Sequence, residues 1–303
     1  MPTRTMIVVN KSWEAEPLVG VLRSTNGRPA DFPHEIAAPS VEIPWSDGRM
    51  HKIPARAAYL AGEAAAEVWC IKDLMDPAKS ASSSEEKARV LPMIAAAGPP
   101  PDLVVAVGTA SLPDPRSFNG SVAVGSSCFL FDPNAAPNPE SRWSDDRIGR
   151  LVDEEDRTST NGLMAWLNRE ARPDVETRFL PPPLAPADPP ILIVSTASVA
   201  VSDVNVTRPD DYVWADPAAL ASFSAAAPKR TVGSMETTHG VIRLCIPSPN
   251  FLFVSGIANR LGYFDSELSP RSYAQNFAAS HNAGVTVAWL LPRILARIDW
   301  ADV

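Results

Sequence analysis

The amino-acid sequence predicts an α/β protein in which a mostly parallel or mixed sheet is covered by helices on both faces. Short, uninterrupted apolar runs recur along the chain, and segments with helical periodicity alternate with them. Proline is the compositional outlier, with 31 of the 303 residues, and it is concentrated between those segments at 98–101, 133–139 and 181–190. Because proline inside a helix or a central strand is costly, these clusters mark connections.

The first half of the chain predicts three core strands and two helices. The strands are short aliphatic runs, and acidic residues near the helix starts favour helix N-termini. Region 24–54 is rich in Pro, Asp and Gly and is expected to be irregular, with one short strand around 41–44. In chain order the elements are strand 6–9, helix 13–22, strand 66–71, helix 85–97 and strand 103–107.

The second half predicts the same alternation after a longer strand. In chain order its elements are strand 122–131, helix 153–172, strand 191–196, helix 215–226, a short strand near Val232, helix 235–245, strand 251–255 and helix 269–297. Pro292 is expected to kink or interrupt the last helix.

Composition excludes several classes of protein. The net charge of −8 and the lack of a Lys/Arg cluster argue against a nucleic-acid surface. No apolar stretch reaches the ~18 residues of a membrane span, and the N-terminus lacks a signal-peptide pattern, so a cytoplasmic protein is expected. The three cysteines are widely spaced in apolar surroundings, which predicts buried reduced thiols.

A ligand site is expected where the strands end, because α/β sheets bind ligands at the carboxyl ends of their strands. The loops predicted there are 10–13, 72–84, 108–114, 196–206 and 256–262. No Walker or Rossmann glycine pattern is present, and the four histidines lack metal-ligand spacing. Neither a cofactor nor a metal is therefore expected.

The most informative stretch is Gly-Ser-Met-Glu-Thr-Thr-His-Gly at 233–240, followed by strand 251–255 and Gly-Ile-Ala-Asn at 256–259. Charged side chains are rarely buried without a partner, so Glu236 is predicted to bind hydroxyls or amides. The alternative is that Glu236 only complements the dipole of a helix that starts there. For His239, one turn later, a structural role is favoured over a catalytic one.

Five segments, in order, resemble the nucleoside phosphorylase/nucleosidase superfamily. They are 6–18 (Met-Ile-Val-Val-Asn-Lys-Ser-Trp-Glu-Ala-Glu-Pro-Leu), 104–111 (Val-Val-Ala-Val-Gly-Thr-Ala-Ser), 193–203, the Ser-Met-Glu at 234–236, and 253–259 together with the helix around 273–290. The resemblance implies one three-layer α/β domain over residues 1–303, with a mixed, partly barrel-like central sheet flanked by helices. It also implies cleavage of the N-glycosidic bond of a purine nucleoside.

The resemblance assigns roles to individual residues. Glu236 would accept hydrogen bonds from the ribose 2′- and 3′-hydroxyls, and Met235 would pack under the sugar. Asn259 stands where the family has a catalytic Asp; it can contact the base at N7 or at a 6-oxo group, but it cannot donate a proton. A structural alternative for Asn259 is a turn residue. The remaining substrate-binding candidates are Thr109, Ser111, Ser198 and Val206.

Glu14 separates the two enzyme classes of the superfamily. Nucleosidases place a glutamate here to orient and deprotonate water, and Glu16 competes with Glu14 for that role. Phosphorylases place a phosphate loop that contains Gly and Arg after the first strand. In this chain, neither 10–14 nor the second predicted loop contains Gly or Arg. The candidate anion ligands of the second loop are Lys79 and the serines at 82–84. Hydrolysis is therefore favoured, with a phosphorylase or a non-catalytic nucleoside-binding protein as the alternatives.

A homo-oligomer is also implied by the resemblance. Trp45, Trp143, Phe179 and Trp214 lie in or beside predicted loops, where exposed aromatic residues often mark contacts. The alternative is that these side chains pack locally under the proline-rich loops.

Overall fold

The computed structural model describes residues 3–79, 84–131, 150–151, 160–184, 188–201, 209–263, 266–267, 273–298 and 300, without the side chains of 150–151 and 209–215. The first half contains β1 (Arg4–Val9), α1 (Ser12–Arg23), β2 (His34–Ile36), β3 (Ser40–Pro44), β4 (Met50–Pro54), β5 (Ala57–Ala61), β6 (Ala64–Cys70), α2 (Ile71–Leu74), α3 (Ser84–Ala96), β7 (Leu103–Leu112), β8 (Val122–Gly125) and β9 (Ser127–Phe131). The second half contains β10 (Arg150–Leu151), α4 (Asn161–Trp166), α5 (Arg172–Glu176), β11 (Leu192–Ile193), β12 (Ala197–Val201), α6 (Pro209–Ala226), β13 (Val232–Glu236), α7 (His239–Cys245), β14 (Asn250–Arg260) and α8 (Tyr273–Ala296).

A mixed twelve-stranded sheet forms the centre of the described structure. Its main path runs β10-β9-β12-β13-β7-β1-β6-β5-β2, and β14 branches from β7 to continue through β8 to β11. The pairs of β1 with β6 and β7, and of β7 with β14, are parallel, whereas β8 pairs antiparallel with β14. The prediction of a mixed central sheet is confirmed.

The sheet is covered on both faces, as the continuous apolar strands predict. Ile7 and Val9 of β1 pack in one buried cluster with residues of α1 and α8. Met6 and Val8 point the other way, into a cluster with residues of α3 and α7. Because successive side chains of a strand alternate between faces, β1 marks the middle of three layers.

Close packing of α8 on β14 depends on one glycine. A Cβ added to Gly256 would lie 2.0 Å from the carbonyl oxygen of Ala279, a distance that no side chain tolerates. Gly256 therefore lets the α8 backbone lie directly against β14. Pro292 lies inside α8 but does not interrupt it, so the predicted interruption is wrong.

Several predicted strand bounds are wrong, because strand pairing sets the real ones. The predicted strand 122–131 is two strands, since β8 pairs with β11 and β14 whereas β9 pairs with β12 and β10. The predicted strand 191–196 gives only the short β11, and β12 follows after Ser195, whose φ is 63°. Region 24–54, predicted to be mostly irregular, contains β2, β3 and β4, of which β3 and β4 form a separate two-stranded sheet.

The predicted helix 153–172 is confirmed only in part. The structure has α4, then a π-helical segment at Leu167–Ala171, then α5. Residues 152–159 lie outside the described part.

The aromatic residues considered as contact markers pack locally where they are described. Phe179 is buried, and the Trp45 ring stacks on His51 at a centroid distance of 3.8 Å. Trp143 and the Trp214 side chain lie outside the described part. The cysteines are free thiols; Cys70 and Cys128 are buried, and Cys245 is partly buried.

Candidate active site

A cavity of about 310 Å³ lies at the carboxyl ends of β1, β7 and β14, where the sequence predicts a site. This volume is at the lower end of the range for small-molecule sites. The start of α1, the end of β13, the turn into α7 and Asn276 of α8 complete its wall. The cavity brings together six predicted site residues: Glu14, Thr109, Ser111, Met235, Glu236 and Asn259.

Glu14 is fixed by three hydrogen bonds, although its side chain is almost fully buried. Thr109 donates its backbone N–H (2.8 Å) and its hydroxyl (2.9 Å) to Oε1. The backbone N–H of Lys11 donates to Oε2 at 2.9 Å, which is one half of a capping box at the start of α1. Thr109 therefore orients Glu14 from the neighbouring strand.

Burial raises the pKa of the Glu14 carboxyl, and the hydrogen bonds from Thr109 and Lys11 oppose that shift. A raised pKa makes the carboxylate a stronger base. Glu16, the competing candidate, is exposed on the far side of α1, where Tyr273 donates its hydroxyl at 3.5 Å. The structure thus places Glu14, and not Glu16, in the cavity.

Glu236 ends strand β13, whereas the sequence predicts a helix start there. The predicted helix 235–245 begins only at His239, because β13 pairs with β12 through Glu236. Oε2 of Glu236 accepts hydrogen bonds from the backbone N–H groups of Thr238 and His239, the latter at 2.8 Å. The contacts therefore show that Glu236 complements the N-terminus of α7, which is the alternative interpretation. Glu236 also forms part of the cavity wall.

Ser198 lies behind Glu236 and does not line the cavity. Its hydroxyl donates to Glu236 Oε1 at 3.0 Å, so it acts on the cavity through that carboxylate. Met235 is buried and packs against apolar side chains of β9, β12 and α6 while lining the cavity. Val206 falls outside the described residues.

Asn259 lies within strand β14, so its interpretation as a turn residue is wrong. The reason is that β14 stays paired with β7 beyond the apolar run, and Asn259 stands beside Ser111. Its Nδ2 donates to Ser111 Oγ at 2.7 Å and to the carbonyl of Arg260 at 2.9 Å. Both amide hydrogens are therefore used inside the protein, and Oδ1 is the atom left to contact a ligand.

Lys11 and His239 are polar residues of the cavity wall that the sequence does not predict as site residues. Lys11 immediately precedes α1, and burial lowers the pKa of its ammonium group, which the nearby Glu14 carboxylate opposes. His239 is the first residue of α7. Its position beside Glu236 in the sequence is the signal that could have marked it.

The predicted second loop does not reach this cavity in the described residues. Lys79 lies instead in a separate surface depression with Asp76, Glu86 and Arg89. Residues 80–83 lie outside the described part, and Ser84 is buried at the start of α3.

Within the described residues, no group of three or more His, Cys, Asp or Glu side chains has the arrangement of a metal site. The described helices include none with the length and apolar character needed to cross a bilayer.

Comparison with solved structures shows similar folds over nearly the whole chain, among them the following three. An S-adenosylhomocysteine nucleosidase from Streptococcus pyogenes, in complex with 5-methylthiotubericidin, is similar over 97% of this chain and 98% of its own, with a TM-score of 0.57 and 9% identity. For the 5′-methylthioadenosine nucleosidase of Arabidopsis thaliana the shares are 95% and 94%, with a TM-score of 0.55 and 14% identity. For a methylthioadenosine phosphorylase from an Antarctic soil metagenomic library they are 98% and 88%, with a TM-score of 0.53 and 7% identity.

No family model matches the chain, and no curated protein matches it significantly. At identities this low the likeness shows the fold alone. The chain has the nucleoside phosphorylase/nucleosidase fold, as its motifs predict.

Proposed function

On the nucleoside phosphorylase/nucleosidase fold, we propose that this protein is a single-domain enzyme that cleaves the N-glycosidic bond of a purine nucleoside with water. The observation that supports the proposal is the convergence of two buried carboxylates, Glu14 and Glu236, on one cavity at the strand ends. Two of the similar folds belong to nucleosidases, which supports a nucleoside as the substrate class.

Glu14 is the base in this proposal. Water attacks C1′ of the sugar as the bond from C1′ to the base nitrogen breaks, and the bonding electrons leave with the base. The proton that water loses passes to Glu14, and the departing base takes a proton from solvent. Thr109 holds the carboxylate in place through two hydrogen bonds, so that little reorganisation is needed when the charge changes.

Glu236 holds the sugar, and its existing hydrogen bonds limit how it does so. Ser198, Thr238 and His239 already occupy three of its roughly four acceptor positions. One ribose hydroxyl can therefore bind without displacing a protein donor, whereas the resemblance implies two. Met235, beside it in β13, supplies an apolar surface under the sugar ring.

Asn259 and Ser111 contact the base together. The Asn259 amide hydrogens are used by Ser111 and by the Arg260 carbonyl, so Oδ1 accepts, and a 6-amino group is a matching donor. The Ser111 hydroxyl accepts from Asn259 and can donate its own hydrogen to purine N7. This pairing favours a 6-aminopurine over a 6-oxopurine, but it supplies no acid to protonate the leaving base.

The Asn259→Asp variant is expected to shift the ratio of kcat/KM for adenosine over inosine by about 10- to 100-fold in favour of adenosine. A carboxylic acid at this position can protonate N7, whereas an ionised carboxylate repels a 6-oxo oxygen. Release of adenine and of hypoxanthine, measured in parallel, gives the ratio.

The matched control is Asn276→Asp, which makes the same change of charge elsewhere in the cavity wall. It should leave the ratio of the two substrates close to that of the wild type. An unchanged ratio in Asn259→Asp would place this residue outside the base-binding part of the cavity.

Lys11 supports a second candidate, phosphorolysis. Among the described residues of the cavity wall it is the one lysine or arginine, and it adjoins Glu14, so a phosphate nucleophile could bind there. A single lysine is a weaker phosphate site than an arginine fork with backbone donors. Hydrolysis therefore remains the preferred proposal.

A nucleoside panel with and without phosphate tests both candidates. We expect base release from at least one of adenosine, methylthioadenosine, inosine and guanosine in phosphate-free buffer, at a rate that phosphate does not raise. Strict dependence on phosphate, together with a higher KM for phosphate in Lys11→Met, would establish phosphorolysis. Thermal stabilisation by a nucleoside without base release over hours would instead indicate a binding protein.

A further inference from the structure

His239 is a buried residue of the cavity wall, and the reaction proposed above gives its side chain no role. Its side chain is only 2% exposed. The imidazole stacks on the ring of Phe253 at a centroid distance of 5.7 Å and an interplanar angle of 28°. Because the ring is held in one orientation, its two nitrogen atoms face fixed and different surroundings.

The hydrogen bonds of Ser198 determine which nitrogen of His239 carries the hydrogen. Ser198 Oγ lies 3.0 Å from Glu236 Oε1 and 3.2 Å from His239 Nδ1. The hydroxyl of Ser234 lies farther from Ser198 Oγ, at 3.4 Å. A serine hydroxyl has one hydrogen, and a carboxylate can only accept, so this hydrogen goes to Glu236. The Ser198 oxygen then accepts from Nδ1–H of His239.

The other nitrogen, Nε2, consequently has a lone pair. Burial lowers the pKa of His239, although the nearby Glu236 carboxylate opposes the shift, and this direction favours the neutral ring. A neutral ring that donates through Nδ1 accepts through Nε2.

Nε2 and the Glu14 carboxylate converge on Gly108. A Cβ built on Gly108 would lie 3.4 Å from His239 Nε2 and 3.4 Å from Glu14 Oε1. The structure, which describes both side chains, records no direct hydrogen bond between them. Both acceptors thus lie near the same point beside Gly108, and the absence of a side chain on Gly108 leaves that space open to a bridging water molecule.

We propose that His239 is a further catalytic residue, whose Nε2 accepts a hydrogen bond from the attacking water while Glu14 accepts that water's other hydrogen. The inference rests on the hydrolysis proposed above. With both O–H bonds directed at fixed acceptors, a lone pair of the water oxygen faces the sugar. The proton lost on attack still passes to Glu14, and His239 remains neutral throughout.

The charged groups around His239 come from three elements in the described structure. Glu236 faces it from β13 and Glu14 from α1, with Lys11 at the start of that helix. Lys87 of α3 reaches the adjoining Thr238 hydroxyl at 3.0 Å. Protonation of His239 removes the acceptor for water, and protonation of Glu14 removes the base. Both events lower activity on the acid side of the pH profile.

Two replacements separate the acceptor role from a structural role. His239→Asn keeps an N–H where Nδ1 donates to Ser198 but has nothing at the position of Nε2. His239→Gln can place an amide oxygen near that position but loses the Nδ1 donor. We expect His239→Asn to lower kcat by about 10- to 100-fold with KM unchanged, and His239→Gln to retain more of kcat. The acid-side slope of log(kcat/KM) against pH should fall by about one in His239→Asn.

The matched control is His281→Asn in α8, outside the cavity wall, which should leave kcat, KM and the acid-side slope unchanged. Wild-type kcat in His239→Asn would show that only the Nδ1 donor matters and would overturn the proposal. A higher KM with unchanged kcat would also overturn it, because Nε2 would then bind the sugar and not the water.

The ring tautomer gives a test that does not depend on turnover. Ring nitrogen chemical shifts of the full-length protein, with the His239 signals identified by their loss in His239→Asn, should show Nδ1–H and an unprotonated Nε2. Hydrogen on Nε2 would overturn the acceptor role. If the wild type released no base from any nucleoside, the proposed function would fail, and the tautomer would still support or overturn the assignment of Nε2 as an acceptor.

Discussion

Replacing Glu14 by glutamine is expected to lower kcat for base release by roughly 10²–10⁴-fold, the usual contribution of a general base. The amide oxygen of glutamine can still accept the hydrogen bonds from Thr109, so the side chain keeps its place. It cannot take a proton from water. KM should therefore change little, and the loss should be in kcat, measured as base release at saturating nucleoside.

Glu16→Gln is the matched control, since Glu16 lies two residues away on the exposed side of the same helix. It should keep the wild-type kcat. If Glu14→Gln kept it as well, the base would have to be another group, and the central assignment would be wrong.

Glu14→Gln should also change how the free energy of unfolding depends on pH. The pKa of Glu14 is raised above its ordinary value of 4.5 by burial, so the folded state binds this proton more tightly than the unfolded state. This tighter proton binding stabilises the folded state in full below the ordinary pKa of Glu14. The stabilisation is lost as pH rises through the pKa that Glu14 has in the folded state. The thermal midpoint of the wild type should fall across that interval relative to that of Glu14→Gln, whereas activity, which needs the ionised form, should rise.

Replacing Glu236 is expected to weaken nucleoside binding by about 10- to 100-fold, because a charge-assisted hydrogen bond to the sugar is lost. Glu236→Ala should also destabilise the fold, since it leaves the N–H groups of Thr238 and His239 without their acceptor. This loss of stability is not expected if the carboxylate only binds the sugar. Glu236→Gln keeps one acceptor oxygen and should lose affinity with a smaller loss of stability.

Calorimetric titration with nucleoside and thermal unfolding measure the two effects separately. Glu42→Gln, on the exposed side of β3, is the control and should change neither quantity. Wild-type affinity in Glu236→Gln would show that the carboxylate only fixes the turn into α7.

Local apolar patterns predict the parts of this fold that depend on the hydrophobic effect. β1, β6, α1 and α3 are found close to their predicted bounds because each has a continuous apolar run or stripe. These patterns give wrong strand ends where pairing with a neighbouring strand determines how far a strand continues. Asn259 and Ser111 are polar, and the sequence predicts turns at both. β14 and β7 nevertheless continue through these residues, because the backbone N–H and C=O groups of the two strands bond to each other.

The site was predictable in its location but not in its internal contacts. Strand order in the sequence indicates which loops lie together, and the cavity is at those strand ends. Nothing in the sequence shows that Thr109 holds Glu14 or that Ser198 lies behind Glu236, because residues 95 and 38 positions apart form these hydrogen bonds. The sequence gives no catalytic signal for His239 for the same reason, since the partners of its side chain come from other elements of the chain.

The position of Glu14 makes two amide protons natural reporters of the cavity. The N–H groups of Lys11, before α1, and of Thr109, in β7, both point at this one carboxylate. Deuterium exchange at either amide requires the carboxylate to release it, so the two exchange rates measure how often the empty cavity opens. A nucleoside that fills the cavity should slow both together, whether or not its glycosidic bond is ever broken.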